Sequence, residues 1–138
     1  MRVTNGYSID KSKLISFYFN GKRYKAFEGD TIASGLLANG IIFTSRSIKY
    51  HRPRGIFSHS FEEPNSLFEI KYDDIYEPNV LSTRVKISDG MVIKSINSWP
   101  SLYFDFFSFL IFLSNFLKAG FYYKTFSGSN CLWKNIFE

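Results

Sequence analysis

The Asn20-Gly21 dipeptide is the tightest constraint on this chain. Both residues tolerate positive φ, and the segments on either side are strand-like, so the pair predicts a two-residue hairpin turn. Residues 14–19 (LISFYF) are rich in aromatic and branched side chains. Residues 22–27 alternate polar and apolar, with Tyr24 and Ala26 on one face. Beyond this hairpin, Gly29, Asp30 and Thr31 open a helix. Asp30 is the expected N-cap, because its carboxylate can accept from the first free backbone amides. Ile32, Ala33, Leu36 and Leu37 fall on one helical face. Gly40 is placed to end the helix in the left-handed conformation. Residues 41–44 then read as a short buried strand.

Residues 44–65, TSRSIKYHRPRGIFSHSFEEPN, break the pattern. Pro53, Gly55 and Pro64 make the stretch poor helix and poor interior strand. A long polar loop in an otherwise apolar chain usually carries function or an interface. After it, residues 67–71 (LFEIK) predict a strand and residues 73–79, with Pro78, a turn-rich connection. Residues 83–88 and 91–96 read as a second hairpin turned at Asp89-Gly90. The order is hairpin, helix, strand, loop, strand, hairpin. One helix across a small mixed sheet is an α+β arrangement, and the β-grasp of ubiquitin and plant-type ferredoxins has this order.

Two terminal regions flank that unit. Residues 1–13 are polar and are expected to form a flexible arm, leaving residues 14–97 as the β-grasp domain. Residues 98–138 are expected to be an aromatic helix and an extended segment that meet a following domain or partner. Within them, residues 99–117 (WPSLYFDFFSFLIFLSNFL) approach the length of a membrane span. Asp105, Ser108, Ser114 and Asn115 interrupt the run, which favours a helix buried against a core or partner. Pro100 suits its first turn, and Leu102, Phe106, Phe109, Leu110, Leu113, Phe116 and Leu117 keep near-helical spacing. Gly120 ends it, and FYYKTF at 121–126 follows as an aromatic extended segment.

Composition narrows the function. The chain has 138 residues, enough for one domain with a real core. It carries 16 Phe and 9 Tyr, more aromatic surface than a small domain needs, so some of it is expected to meet a partner. Net charge is +5, which permits an anionic partner. The basic residues form no consecutive run, and nucleic acid is not indicated. One cysteine, Cys131, excludes an intramolecular disulfide and any zinc or iron–sulfur site built from cysteines. The N-terminal residues lack the apolar core of a signal peptide, so a reducing cytoplasmic setting is expected.

Few residues carry chemistry. His51 and His59 are the two histidines, and both lie in the polar loop. Only Ser58 and Ser60 stand near them as nucleophiles, and acid–base work needs a positioned partner. His51 fits better as a hydrogen-bonding neighbour of the arginines. Glycines 29, 35 and 40 do not form a dinucleotide-binding turn. Glu62, Glu63, Asp73, Asp74 and Glu77 match no calcium loop. The basic cluster of Arg46, Lys49, His51, Arg52 and Arg54 is the strongest candidate. Its guanidinium forks suit a carboxylate or phosphate. Internal pairing with Glu62 and Glu63 is the competing reading, as is a solvated connection whose charges only aid solubility.

Several segments together resemble a known family. FEGDTIASGLLANG (27–40), SRSIKYHRPRG (45–55), EEPN (62–65), NSWPSL (97–102) and AGFYYKTF (119–126) are similar to the N-terminal region of the α subunit of heterotetrameric sarcosine oxidase and related amine and opine dehydrogenase subunits. The resemblance runs from about Ile15 to Glu138 and implies a ferredoxin-like β-grasp. Cluster-bearing relatives hold a [2Fe–2S] centre after a similar Pro-Arg-Gly. A plant-type C-x4-C-x2-C comb laid from Ser58 falls on Ser58, Glu63 and Ser66, none of them cysteine. The resemblance therefore implies a cluster-free branch. It places FAD, FMN, NAD and folate on other parts of the complex, and it transfers no catalytic residue to this chain. The implied role is assembly. Arg46, Lys49, His51, Arg52, Arg54, Glu62, Glu63 and Asn65 are candidate interface residues, with Tyr122, Tyr123 and Lys124 as an apolar contact. A stand-alone module that binds an anionic ligand through residues 46–54 is the alternative.

Overall fold

The computed structural model describes residues 9–113. Asn20 and Gly21 both adopt positive φ (48° and 80°) and join β1 (Asp10–Phe19) to β2 (Lys22–Glu28). The antiparallel register, Phe19 opposite Lys22 and Phe17 opposite Tyr24, is the one a two-residue turn dictates. Alternation puts Phe17 and Phe19 in the core and leaves Tyr18 partly exposed. β1 begins earlier than the sequence implied, because Asp10 still pairs with Glu28 across a bulge. Nearby, Lys13 lies 2.8 Å from the Glu28 carboxylate, and that hydrogen bond and charge raise the lysine pKa.

Helix α1 (Ile32–Ala38) is short. Its N-cap is Thr31, not Asp30: Thr31 is extended, and its Oγ1 accepts from Ser34 N at 3.2 Å. Asp30 sits one residue too early. Its buried carboxylate instead accepts from Phe27 N and Ser34 Oγ, each at 2.8 Å, and so ties the hairpin to the helix. The helix ends as expected at Gly40, with φ +76°. Gly40 N donates to Leu37 O and Ile41 N to Leu36 O, the paired bonds of a left-handed cap. Ile32, Ala33 and Leu36 are buried, whereas Leu37 turns outward. Gly35 takes its place on the inner face, since a Cβ there would stand 2.4 Å from Ile87 Cδ1.

The remaining strands are β3 (Phe43–Arg46), β4 (Pro53–Gly55), β5 (Leu67–Tyr72), β6 (Ile75–Leu81) and β7 (Val92–Ser95). The main sheet has the order β2-β1-β7-β5-β6, and β3 and β4 form a separate two-stranded ribbon. β7 runs parallel to β1 and antiparallel to β5. A β-hairpin, a helix and a last strand returning parallel to the first, between the two halves of the sheet, make the β-grasp, an α+β fold.

Three expectations give way here. Residues 73–79 are mostly strand: Asp73 and Asp74 turn the chain, and Pro78 lies in β6, an edge strand where its missing N–H costs nothing. The second hairpin does not form. Residues 83–87 run beside the start of α1, where Val85 O accepts from Ile32 N and Ile87 N donates to Asp30 O. Asp89-Gly90 does turn the chain, but into β7 and its parallel partner β1. Nor does a helix start at Pro100. The Trp99–Pro100 bond is cis, Leu102 is buried in the core, and a 3₁₀ helix begins only at Phe106 and ends at Ile111. Residues 114–117 and 121–126 lie outside the described residues.

The core joins Phe17, Phe19, Ile32, Leu36, Phe68, Ile70, Ile87, Met91, Ile93 and Leu102. Each fully buried large side chain contributes about 1.5–3 kcal/mol. Among the described residues no helix is long and apolar enough to cross a membrane.

Candidate functional site

The ribbon of β3 and β4 holds the basic segment on a tight connection. His51 adopts φ +50°, Ser47 N donates to Arg52 O, and Ser47 Oγ accepts from Arg52 N. Gly55 is required where β4 passes Ile42: a Cβ there would stand 2.5 Å from the Ile42 carbonyl oxygen. That close approach explains a glycine after Pro-Arg.

Arg46 turns inward. Its Nε donates to Leu102 O at 2.9 Å and its Nη1 to His51 O at 2.7 Å, while the guanidinium lies 5.1 Å from the Phe43 ring centre. Asp105 Oδ2 stands 3.7 Å from Arg46 Nε and 2.7 Å from His51 Nδ1. Asp105 Oδ1 accepts from Trp99 N at 2.9 Å, and Asn97 Nδ2 donates to Arg46 O. The Asp105 side chain is fully buried. An arginine, a histidine and an aspartate thus clasp the basic loop to the 97–105 segment, and such a network holds well only when every member is satisfied.

The clasp has two of the parts of a catalytic relay and lacks the third. Among the described residues no hydroxyl or thiol bonds to the His51 ring, whose other neighbour is Phe107, with ring centres 5.4 Å apart. His59 is exposed and lines an open cleft of about 370 Å³ with Ser58 and Thr83. Among the described residues neither histidine is hydrogen-bonded to a nucleophile it could activate.

The other basic residues face out. Lys49 Nζ and the Arg52 guanidinium lie 4.9 and 4.7 Å from the Tyr50 ring centre. Arg54 has no ion-pair partner among the described residues and lines an open cleft of about 320 Å³ with Ser45, Asn65, Asn79 and Asn97. Glu62 is exposed, and Glu63 is buried. Glu63 meets no arginine among the described residues: its carboxylate accepts from the backbone N–H groups of Phe57, Ser58 and Asn65. Asn65 O accepts from Ser45 Oγ at 2.6 Å. Arg46 is therefore separated from the outward Lys49, Arg52 and Arg54, and Tyr122, Tyr123 and Lys124 lie outside the described residues.

Beside the clasp lies an exposed aromatic face. Trp99 is 61% exposed, Phe104 71% and Phe112 83%, with Phe106 and Phe109 also open to solvent. Phe106 contacts Trp99 edge to face at 6.1 Å and Phe107 at 5.9 Å. Sequence reasoning missed Asp105 as the organiser of this region. The available signal was a lone acid inside a long apolar run, which needs a buried partner.

Residues 12–98 match the family described as a 2Fe-2S iron-sulfur cluster binding domain. The chain is 45% identical over 94% of its length to the sarcosine oxidase subunit alpha of Rhizobium meliloti, of which it spans 13%. It is 38% identical over 64% of its length to the sarcosine oxidase subunit alpha of a Corynebacterium species (strain U-96), of which it spans 9%. The L-proline dehydrogenase of P. horikoshii is a similar solved structure, at a TM-score of 0.49 and 26% identity, with 67% of this chain and 17% of that one covered.

The residues of the loop do not fit the cluster in the family's description. Four thiolates are needed, and the sequence has one cysteine, Cys131. Ser58, Glu63 and Ser66 stand at cluster-comb spacing, and the Glu63 carboxylate is committed to backbone amides. Among the described residues no group of His, Cys, Asp and Glu is arranged to hold a metal ion. From a β-grasp sheet with a Pro-Arg-Gly ribbon and a family match over most of the sheet, the chain belongs to the 2Fe-2S iron–sulfur cluster binding domain family, in the part of it similar to the N-terminal regions of sarcosine oxidase α subunits.

Proposed function

We propose that this chain is a cluster-free, ferredoxin-like assembly domain of a sarcosine oxidase α-type subunit. The observation that carries the reading is the 45% identity maintained over 94% of the chain. The chain spans only 13% of that relative, so the remainder of the subunit is the natural neighbour of its exposed surfaces. In this reading a cytoplasmic heterotetramer oxidises the N-methyl group of sarcosine, with FAD, FMN, NAD and folate held elsewhere in the complex. This domain supplies no catalytic residue. Its aromatic face, Trp99 to Phe112, packs against the rest of the subunit, and Lys49, Arg52 and Arg54 meet acidic groups at the rim. Aromatic and arginine side chains are the ones that anchor such contacts.

The test is a pull-down of the tagged chain from its own cells, with co-purifying chains identified by mass and the visible spectrum recorded. Flavin absorbance together with large subunits is the expected result. A lone, colourless 16 kDa chain would overturn the assembly role. One observation favours a second reading: Arg54 lacks a partner among the described residues and borders an open polar cleft. A stand-alone module using residues 46–54 for an anionic ligand predicts salt-sensitive binding with no protein partner present.

A further inference from the structure

Glu63 is the most unusual ionisable residue among those described. It is 2% exposed, and no cation among the described residues pairs with it. Its surroundings are backbone amides. Oε2 accepts from Phe57 N at 2.8 Å and from Ser58 N, and Oε1 accepts from Asn65 N at 2.9 Å. Burying a carboxylate is costly unless hydrogen bonds replace its water, and bonds from N–H groups to an ionised acceptor are strong. Successive amides at 57 and 58, met by a third from 65, form a concavity built for an anion. Such amide nests hold phosphates and iron–sulfur clusters in other proteins.

The position of this nest is informative. It closes the segment between β4 (Pro53–Gly55) and β5 (Leu67–Tyr72). Laid on the sequence, the plant-type cysteine spacing puts Glu63 itself at a ligand position, between Ser58 and Ser66. Ser66 is buried, and its Oγ bonds to Ser82 Oγ at 2.5 Å, so it is committed to the neighbouring loop.

We propose that Glu63 is the resident anion of this loop. Its carboxylate gives the converging amides the buried negative charge that a cluster gives them in members with four cysteines. The loop then stays closed without iron. This inference rests on the family assignment and not on the sarcosine reading, so a failed pull-down leaves it standing. It carries a corollary about ligand chemistry: with the carboxylate removed, the nest becomes a site for a small carboxylate such as formate.

The experiment uses the full chain. Amide hydrogen exchange is followed by NMR at Phe57, Ser58 and Asn65 in the wild type and in Glu63→Ala. Exchange at the three amides should accelerate by about tenfold or more in the variant, the scale of one lost strong hydrogen bond. Formate should restore protection, and chloride at the same ionic strength should not. Unchanged protection in Glu63→Ala, or equal recovery with chloride, would overturn the proposal. Should the alanine variant not fold, refolding by formate supports it, and Glu63→Gln supplies the second reading. A glutamine offers one acceptor oxygen, so one side of the nest, either Phe57 and Ser58 or Asn65, should lose protection while the other keeps it. Full protection on both sides in Glu63→Gln would contradict the need for a charge. Incubation of the wild type with ferrous iron and sulfide should yield no bound iron; a stoichiometric, coloured cluster would also refute the inference.

Discussion

Asp105 ties two parts of this molecule together: it receives His51 and the Arg46 guanidinium from the basic loop and the Trp99 amide from its own segment. Breaking a buried pair by removing one partner leaves an uncompensated charge, so Asp105→Ala should destabilise the domain by about 3–5 kcal/mol. Urea denaturation measures this directly, and a change below 1 kcal/mol would mean that solvent already reaches Arg46. Residue types alone could not reveal the clasp. Arg46 reads in sequence as one more member of a cationic cluster, yet it is buried at 8% exposure. What separates it from Arg52 and Arg54 is an acid 59 positions away, and no local pattern encodes a partner at that distance. Glu63 shows the same limit. Beside Glu62 it looks like half of a solvated acidic pair, and only the folded loop sends one carboxylate inward and the other out.

At the scale of elements, what was legible is what is local. The β1–β2 hairpin, the extent of α1 and its left-handed end follow from Asn20-Gly21, Gly40 and the apolar spacing between them. Two of the misread elements have distant partners, whereas β6 was hidden locally by Pro78 in an edge strand. Residues 83–88 alternate like a strand and precede an Asp-Gly turn, but their hydrogen bonds go to the entry of α1. Residues 99–105 carry helix-like apolar spacing, yet the Leu102 carbonyl accepts from Arg46 Nε and Trp99 N donates to Asp105 Oδ1, so the segment's polar backbone groups are met by a distant arginine and an irregular turn instead of by helical bonds. Two substitutions probe local chemistry at this scale. Thr31→Ala removes the helix cap and should cost about 1 kcal/mol by thermal unfolding. Gly55→Ala forces a methyl against the Ile42 carbonyl. It should cost about 1–3 kcal/mol through backbone shift, with faster amide exchange in β3 and β4 as its local signature.

For the whole molecule, the proposed assembly role divides the labour between the charge and the aromatic surface. Apolar contact supplies most of the adhesion in such interfaces, and exposed charges mainly steer and orient. Trp99→Ser with Phe106→Ser should therefore abolish co-purification of large subunits while the tagged chain remains folded by circular dichroism. Arg52→Ala with Arg54→Ala should weaken recovery about tenfold at low salt and little at high salt, as screening of rim charges requires. If the charge variant failed at every salt concentration and the aromatic variant did not, the roles assigned to the two surfaces would be reversed.

The parallel pairing of Tyr18 and Phe19 with Val92 and Ile93 bears on how the domain is made. The central seam of the sheet joins residues about 74 positions apart, so it cannot zip from a local nucleus and must wait for most of the chain. Such distant contacts slow folding, because the connecting loop is ordered before they reward it. During synthesis the hairpin would stand with one edge unfilled until the residues of β7 leave the ribosome. A growing chain stopped before residue 92 should then be readily cut by protease, and one extended past the clasp at Asp105 should resist. Birth order and sheet order disagree in this domain, and among the described residues the last main-sheet strand to emerge is the one placed at its centre.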